Sequence, residues 1–316
     1  MRFGTVAIVG RSNVGKSTFL NAVLGEPLAI VSSRPQTTRD ALLGVLNLPD
    51  AQIAFVDTPG LHRPHTELGR RMNASAREAE RGADLVVFMT DVTSIAKSRD
   101  KAEKTPLLDE DRKIFGESPT GVPILVVINK IDLVKDKARL LPMMAALAEI
   151  RPIETTIPIS ARNADGLDGV LREIVERLPE GTGGYDESTL TDRPMTFFVR
   201  EYVREQVLLH AASEVPHAVA VSVEQFSEGE KVTVIKATIH VEKTGQRAIL
   251  VGRGGSMIKE IGIGARKRLE EMLGKKIHLE LFVRVTERWK SVPRQLSELG
   301  YELPTLKPSS GGSRSK

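Results

Sequence analysis

Short apolar segments alternate with longer polar or amphipathic segments over the first half of the chain. Their residues are apolar at successive positions, as in strands covered on both faces, and many are β-branched. They lie at Thr5 to Val9, Ile53 to Val56, Leu85 to Met89, Ile124 to Ile128 and Thr156 to Ile159. This alternation predicts strands joined by crossover helices, and therefore an α/β domain over residues 1–178 with a mostly parallel sheet.

The pattern changes after a polar, glycine-rich segment at residues 179–194, which has neither periodicity and is typical of a linker. Beyond it we predict an α-β-β-α-α-β order, a smaller α+β domain over residues 195–290. Its helices and last strand are predicted at Thr196 to Ala212, Gln246 to Val251, Ser256 to Met272 and Ile277 to Val285. Residues 291–316 are expected to form a C-terminal helix and, from Lys307 onward, a disordered tail.

Composition changes this picture little. With 316 residues, 41% apolar and 27% charged, the chain suits two globular domains. It has no cysteine, which excludes disulfides, thiolate metal sites and a cysteine nucleophile. Since no apolar run approaches the roughly 20 residues needed to span a bilayer, and no secretory signal is visible, we expect a cytoplasmic protein without a transmembrane segment.

The charge is unevenly distributed. The net charge is +4, but Gln246 to Lys290 holds eleven Lys/Arg against five Asp/Glu, a local balance of +6. A concentrated basic patch attracts polyanions, whether nucleic acid or an anionic membrane surface.

A phosphate-binding loop is predicted between the first strand and the first helix. The segment from Gly10 to Ser17 matches G-x-x-x-x-G-K-[ST]. Its glycines let the backbone approach phosphates closely, Lys16 adds charge at the outer phosphates, and Ser17 is a ligand for Mg²⁺. The nucleotide-binding residues predicted here are Gly10, Arg11, Ser12, Asn13, Val14, Gly15, Lys16, Ser17 and Thr18.

Two later loops indicate that the base is guanine. Asn129-Lys130-Ile131-Asp132 follows a predicted strand, and the Asp132 carboxylate can accept hydrogen bonds from the ring N–H and the exocyclic amine of guanine, a donor pair that adenine lacks. The loop after the next strand can offer backbone N–H groups to the guanine carbonyl. The residues predicted to read the base are Asn129, Lys130, Asp132, Ser160, Ala161 and Arg162.

Two further segments supply metal ligands and a sensor of the γ-phosphate. In Asp57-Thr58-Pro59-Gly60, the Asp can hold Mg²⁺ through water and the Gly60 N–H can contact the γ-phosphate. In the segment from Arg34 to Arg39, either Thr37 or Thr38 can close over Mg²⁺, and Thr38 is slightly favoured. We therefore predict Ser17, Thr38 and Asp57 as metal ligands and Lys16, Thr38 and Gly60 as the catalytic residues.

The water-orienting group is missing at the usual place. The nucleotide-binding motifs resemble those of Ras-like GTPases, many of which have Gln directly after the Asp-x-x-Gly element, whereas this chain has Leu61. Turnover should be slow unless another group completes the site. Asn13 resembles the asparagine that binds K⁺ in related GTPases, which makes K⁺ a candidate cofactor. Arg34 and Arg39 are either transition-state groups or solvated residues, and we assign neither a catalytic role.

The second domain carries a glycine loop in its basic region. Gly252-Arg-Gly-Gly255 is a G-x-x-G sequence between two predicted helices. A lone G-x-x-G is more often a plain turn, but the element order and the local charge favour RNA binding. The domain resembles type II KH modules, in which this loop clamps the backbone of single-stranded RNA. The predicted RNA-binding residues are Gly252, Arg253, Gly254, Gly255 and Lys259.

Together these motifs resemble the TrmE–Era–EngA group of Ras-like GTPases, and one phosphate loop followed by one KH module resembles the Era family over nearly the whole chain. The resemblance implies GTP/GDP and Mg²⁺ as ligands, binding to the 3′ end of 16S rRNA, and a switch role in assembly and maturation of the 30S subunit. It also implies peripheral association with the inner membrane, and our default is a monomer. The polar tail beyond Leu306 departs from the family.

Three alternative classes share part of this pattern. A tRNA-modification GTPase of the TrmE kind requires a C-terminal cysteine, which this chain lacks. An EngA-type protein has two phosphate loops, and only one is present. A GTP-dependent membrane-surface or signalling protein, whose basic domain binds anionic lipid, remains open and is disfavoured by the glycine loop.

Overall fold

The structure is a computed structural model that describes residues 1–97, 107–211 and 214–303. Within these residues it forms a six-stranded sheet followed by a three-stranded sheet, each with packed helices. The predicted fold class, a Ras-like α/β domain followed by a smaller α+β module, is confirmed. The tail predicted from Lys307 onward lies outside the described residues.

The first sheet has the strand order β2-β3-β1-β4-β5-β6, and all neighbours are parallel except β2 and β3. Along β1, Val6 and Ile8 face one apolar cluster while Ala7 and Val9 face the other, so both faces of the sheet are covered. The strands are β1 Arg2–Val9, β2 Leu42–Leu48, β3 Ala51–Asp57, β4 Leu85–Asp91, β5 Ile124–Asn129 and β6 Thr156–Pro158.

The crossover helices predicted for this sheet are present. They are α1 Lys16–Leu24, α2 Glu67–Gly82, α3 Thr93–Lys97, α4 Asp109–Gly116, α5 Leu141–Ala148 and α6 Leu167–Arg177. Helix α1 begins directly after the phosphate loop and ends at Gly25, whose φ of 70° suits glycine at a helix C-terminus. The loop is thereby fixed between a buried strand and a helix N-terminus.

Strand β2 was not predicted. Its sequence, Leu42-Leu-Gly-Val-Leu-Asn-Leu48, contains a single β-branched residue, and its far end is only partly buried. β2 is an antiparallel strand at the edge of the sheet and has one neighbouring strand. Its sequence therefore shows neither the fully apolar run of a central strand nor a strict alternation of apolar and polar residues.

The segment at residues 179–194 is bound to the first sheet along much of its length. The Val45 N–H donates to the Leu190 carbonyl at 2.9 Å, and the Asn47 side chain donates to the Glu187 carbonyl at 2.9 Å. The Gln52 side chain also donates to the Tyr185 carbonyl at 2.8 Å. The segment therefore covers the edge of the sheet, and the domain boundary there stays a prediction.

The second sheet has the order β7-β8-β9, with β7 antiparallel and β9 parallel to β8. This is the predicted α-β-β-α-α-β order. Its elements are α7 Met195–His210, β7 Ala220–Ser227, β8 Val232–Val241, α8 Thr244–Val251, α9 Ser256–Leu273 and β9 Lys276–Val285, and α10 Pro293–Glu298 follows.

The C-terminal residues pack against the first domain. Leu68 and Met72 of α2 share a buried apolar cluster with Trp289, Leu296 and Tyr301. Backbone bonds reinforce it, since the Leu68 N–H donates to the Lys290 carbonyl at 3.0 Å. The helix that follows the Asp57–Gly60 loop is thus in direct contact with the end of the second domain.

Candidate nucleotide site and RNA-binding surface

A cleft of about 740 Å³ opens where the parallel strands of the first sheet end. Loops at the carboxyl ends of parallel strands meet at one edge of a sheet, which explains why motifs far apart in sequence converge there. The predicted residues that line the cleft are Ser12, Asn13, Gly15, Lys16, Ser17, Thr18, Thr38, Gly60, Asn129, Lys130, Asp132 and Arg162.

The other predicted residues do not line the cleft. They are Gly10, Arg11, Val14, Asp57, Thr58, Pro59, Ser160 and Ala161. Thr58 is an example, because its buried hydroxyl donates to the Ile8 carbonyl at 2.8 Å. The side chain of Thr58 therefore ties the loop to β1 rather than facing a ligand.

Glycine is required at two close approaches around the phosphate loop. Gly15 has a φ of 104°, and a Cβ there would lie 2.3 Å from the Asn129 amide nitrogen. A Cβ on Gly60 would lie 2.6 Å from the Cα of Ser12. Larger side chains at either position would push apart the loops that form the cleft.

Lys16 lies folded onto the phosphate loop. Its Nζ donates to the Gly10 carbonyl at 3.1 Å and to the Arg11 carbonyl at 3.0 Å. Burial lowers the pKa of Lys16 to about 8. A phosphate beside this ammonium would favour its charged form, so nucleotide binding and protonation of Lys16 should support each other.

Three oxygen-bearing side chains converge at the predicted metal position. The Ser17 hydroxyl donates to Asp57 Oδ2 at 2.6 Å and lies 2.8 Å from the Thr38 hydroxyl. The other oxygen of Asp57 is buried without a partner, and burial raises the pKa of this carboxyl to about 6. Hydroxyl and carboxylate oxygens are the ligands that Mg²⁺ prefers, so these residues fit the ion. The Thr37 hydroxyl instead donates to the Arg34 carbonyl at 2.7 Å, which favours Thr38 as the ligand.

Asn129 joins three loops of the site. Its amide nitrogen donates to the Val14 carbonyl at 2.8 Å, and its amide oxygen accepts from the Ala161 N–H at 3.0 Å. The neighbouring Asp132 is exposed, and its Oδ1 accepts from the Ser160 hydroxyl at 2.7 Å. This bond orients the carboxylate, and both of its oxygens keep lone pairs that can accept from a base.

The segment from Arg34 to Arg39 connects the cleft to the second domain. Arg34 donates to the carbonyls of Leu208 at 2.9 Å and Ala211 at 2.7 Å, at the end of α7. Arg39 donates to the Val219 carbonyl at 2.5 Å and lies over the Trp289 ring. Neither Arg34 nor Arg39 is among the residues that line the cleft.

Several cleft residues were missed by the sequence analysis. Ile30, Val31, Ser32, Ser33, Gln36, Thr93 and Leu133 all line the cleft. Gln36 lies within the segment already singled out and is 3.1 Å from the His62 ring. The others belong to no motif, and only the fold brings them to the site. Leu61 is 4% exposed, so its side chain is packed in the core beside the cleft.

The glycine loop of the second domain is exposed at the junction of α8 and α9. Gly252, Gly254 and Gly255 all have positive φ, at 72°, 60° and 80°. Arg253 and Lys259 are exposed and carry positive charge beside the loop. A short helical turn over Arg253–Gly255 presents the backbone to solvent. Arg253, Gly254 and Lys259 are therefore exposed, while Gly252 and Gly255 are partly exposed.

The second domain also exposes apolar side chains that were not predicted. Ile249 on α8, Ile263 on α9 and Phe282 on β9 are 47%, 50% and 53% exposed. Phe282 lines a second cleft, of about 570 Å³, together with Arg247 and Arg284. Apolar or aromatic groups next to arginines suit the stacking and backbone contacts of single-stranded RNA.

The structure also bears on membrane insertion. In the three stretches that it describes, no helix combines the length and apolar character needed to cross a bilayer.

A phosphate loop, a guanine-reading loop and a KH module on one chain define a GTPase of the Ras-like class with an RNA-binding type of second domain. The family model described as "50S ribosome-binding GTPase" matches residues 5–130, and the KH domain model matches residues 214–290. GTPase Era of Xylella fastidiosa is 40% identical over 303 residues, covering 95% of this chain and 98% of the relative. GTPase Era of Lactobacillus helveticus is 40% identical and covers 96% and 97%.

Solved structures of Era proteins resemble this chain over nearly its whole length. A single-residue variant of Aquifex aeolicus Era bound to GDP.AlF4⁻ has a TM-score of 0.88 at 36% identity, covering 96% of this chain and 100% of that one. An Era complex with MgGDPNP and nucleotides 1506–1542 of 16S ribosomal RNA has a TM-score of 0.89, with the same identity and coverage. The chain belongs to the Era family, and it is a GTPase with a C-terminal KH domain.

Proposed function

We propose that this GTPase is a nucleotide-controlled switch that binds the 3′ end of 16S rRNA through its KH domain during assembly and maturation of the 30S subunit. GTP and GDP bind with Mg²⁺ in the cleft of the first domain, and the protein works as a cytoplasmic monomer with peripheral association to the inner membrane. The observation that carries the proposal is the segment from Arg34 to Arg39, which borders the cleft and contacts the second domain.

In the cleft, the protein's own groups bind and orient the nucleotide. Lys16 and the backbone N–H groups of the phosphate loop hold the phosphates, and Asp132 reads guanine. Ser17, Thr38 and Asp57 hold Mg²⁺, which supplies positive charge to the β- and γ-phosphates when bound. Gly60 contacts the γ-phosphate through its N–H. Because Leu61 cannot orient water, we expect a slow intrinsic rate.

The proposed RNA surface includes the Gly252–Gly255 loop and exposed apolar residues of the same domain. Arg253 and Lys259 contact phosphates, while Ile249 and Phe282 contact bases. The related Era solved with 16S rRNA nucleotides supports this choice over an anionic lipid surface.

The switch follows from how the cleft and the KH domain share one segment. Thr38 can contact Mg²⁺ only when a nucleotide with its Mg²⁺ is bound in the cleft. Arg34 and Arg39 hold the same segment to α7 and to the C-terminal residues. A change of nucleotide that moves Thr38 must therefore strain or release contacts with the second domain.

The test is the affinity of the full chain for a short RNA that copies the 3′ end of 16S rRNA. It is measured with a non-hydrolysable GTP analogue and with GDP, against a scrambled RNA, at one fixed salt concentration because phosphate contacts dominate. We expect sequence-selective binding that depends on the nucleotide. Equal weak binding to both RNAs in both states would contradict the proposal.

Removing the Arg34 contacts should uncouple the two domains. In Arg34→Ala, the segment from Arg34 to Arg39 loses two charge-assisted bonds to α7 and the residue after it, and the ratio of RNA affinities in the two nucleotide states should move toward 1. The change should be about tenfold or more, since each such bond contributes about 1.5 kcal/mol and 1.4 kcal/mol corresponds to tenfold. Arg63→Ala removes an exposed positive charge and is the control. An unchanged ratio in Arg34→Ala would show that coupling runs elsewhere.

The position of Asn13 leads us to predict that GTP hydrolysis depends on K⁺. Its amide nitrogen donates to the Ser33 carbonyl at 2.9 Å, which places an amide and a backbone carbonyl together at the rim of the cleft. We expect GTP hydrolysis to fall about tenfold or more when K⁺ is replaced by Na⁺, because a cation here offsets charge on the phosphates. Asn13→Ala should remove the difference between the two salts. Equal rates of GTP hydrolysis in K⁺ and Na⁺ would exclude a role of Asn13 in binding K⁺.

A further inference from the structure

A buried carboxylate lies between the two loops that form the nucleotide cleft. Asp91 is the last residue of β4 and is 1% exposed. Strand β4 lies between β1, which leads into the phosphate loop, and β5, which leads into the guanine loop. In the register of the sheet Asp91 pairs with Asn129. The fold therefore puts an acidic group where the loops approach each other.

Asp91 bonds to both loops at once. Its Oδ1 accepts from Arg11 Nη2 of the phosphate loop at 2.5 Å and from the Thr93 N–H at 3.0 Å. Its Oδ2 accepts from Lys130 Nζ of the guanine loop at 2.6 Å. The same Nζ donates to the Asn13 carbonyl at 2.6 Å. One carboxylate thus ties together two loops that are far apart in sequence.

The charges around Asp91 are balanced. Arg11 has a second partner, Asp111, whose Oδ2 accepts from Arg11 Nε at 3.0 Å and from the Thr90 hydroxyl at 3.0 Å. Burial by itself would raise the pKa of Asp91, but Arg11 and Lys130 outweigh burial and hold that pKa below its usual value. Asp91 is therefore an anion at neutral pH.

We propose that Asp91 is a positioning residue for guanine nucleotides, which fixes the Lys130 side chain against the phosphate loop. Lys130 and Asp132 both line the cleft, so anchoring the Lys130 ammonium fixes a side chain next to the residue that would read the base. The proposal rests on the nucleotide site assigned above. None of the motifs that predicted this site contains Asp91.

A positioning role differs from a merely structural one. If Asp91 only held the end of β4 in place, its loss would lower the melting temperature and leave the affinity of folded molecules unchanged. If it positions Lys130, its loss weakens binding of GTP and GDP alike, because both carry the same base. Hydrolysis at saturating GTP then changes little, since Asp91 bonds to none of the predicted metal ligands.

The test is Asp91→Asn, with association and dissociation of a fluorescent guanine nucleotide followed by stopped flow. We expect the dissociation constants of GTP and GDP to rise by the same factor, about 10- to 100-fold, with kcat within about twofold of the wild type. Asp111→Asn keeps the bridge between the loops and should change the constants less than about threefold. Asp91→Glu keeps a carboxylate and should give intermediate affinity.

A double-mutant cycle with Lys130→Met tests whether Asp91 acts on the nucleotide through Lys130. The substitution removes the ammonium and keeps an apolar side chain. If Asp91 acts through Lys130, adding Asp91→Asn to Lys130→Met costs little further affinity. Wild-type affinity in folded Asp91→Asn, or full additivity in the cycle, would overturn the proposal. If Asp91→Asn does not fold, Asp91→Glu replaces it in the cycle. Failure of the wild type to bind the nucleotide would instead refute the proposed site.

Discussion

Asp132→Asn is expected to weaken GTP binding about a thousandfold. In the proposed site the Asp132 carboxylate would accept from two donors of guanine. Each hydrogen bond to a charged acceptor contributes about 2 kcal/mol, and 1.4 kcal/mol corresponds to tenfold. A neutral amide can accept from only one of these donors and presents its own N–H to the other. The measurement is the dissociation constant for GTP by calorimetry.

The same substitution should create affinity for xanthosine triphosphate. Xanthine keeps the ring N–H and carries a carbonyl where guanine has its amine, so the amide of Asn can both accept and donate. Asp165→Asn, in the neighbouring exposed loop, makes the same change of charge and should leave both affinities within about twofold. Loss of GTP binding without gain of xanthosine triphosphate would mean that Asp132 does not read the base.

The motif residues that line the cleft could be predicted because each motif is local in sequence. A phosphate loop needs its glycines and lysine at fixed spacing, and Gly15 shows why, since any Cβ there would collide with Asn129. Residues that reach the cleft through the fold gave no such signal. Thr93 and Leu133 belong to no motif, and Asp91 became informative only when β4 was placed between β1 and β5.

The arrangement of the two domains was beyond prediction for a different reason. Part of the segment at residues 179–194 is held to the edge of the sheet through its backbone, since the carbonyls of Glu187 and Leu190 accept hydrogen bonds from β2. Arg34 and Arg39 likewise donate to backbone carbonyls, which any residue can supply. Contacts of this kind leave no pattern in the sequence that supplies the carbonyl. By contrast, β8 shows an alternation of apolar and polar residues and the glycine loop shows the G-x-x-G spacing, so both could be predicted.

Gly254→Asp should abolish most RNA binding while leaving the GTPase site intact. Gly254 has a φ of 60°, and a Cβ there meets nothing within 4 Å, so the fold tolerates the change and Asp adopts this conformation more readily than most residues. The new carboxylate would stand where an RNA phosphate must approach. We expect affinity for the 16S-type RNA to fall about 10- to 100-fold, measured by fluorescence anisotropy at fixed salt.

Gly274→Asp is a matched control for this variant. Gly274 has a φ of 63° and equally open surroundings, but it ends α9 at the other end of the helix, about 27 Å away at 1.5 Å per residue. It adds the same charge with the same backbone strain and should keep RNA affinity. Gly254→Asn separates bulk from charge and should lose less affinity than Gly254→Asp. Equal effects of the two Asp variants would mean that net charge, rather than the loop, controls binding, and the basic domain would then be better explained as a surface for anionic lipid.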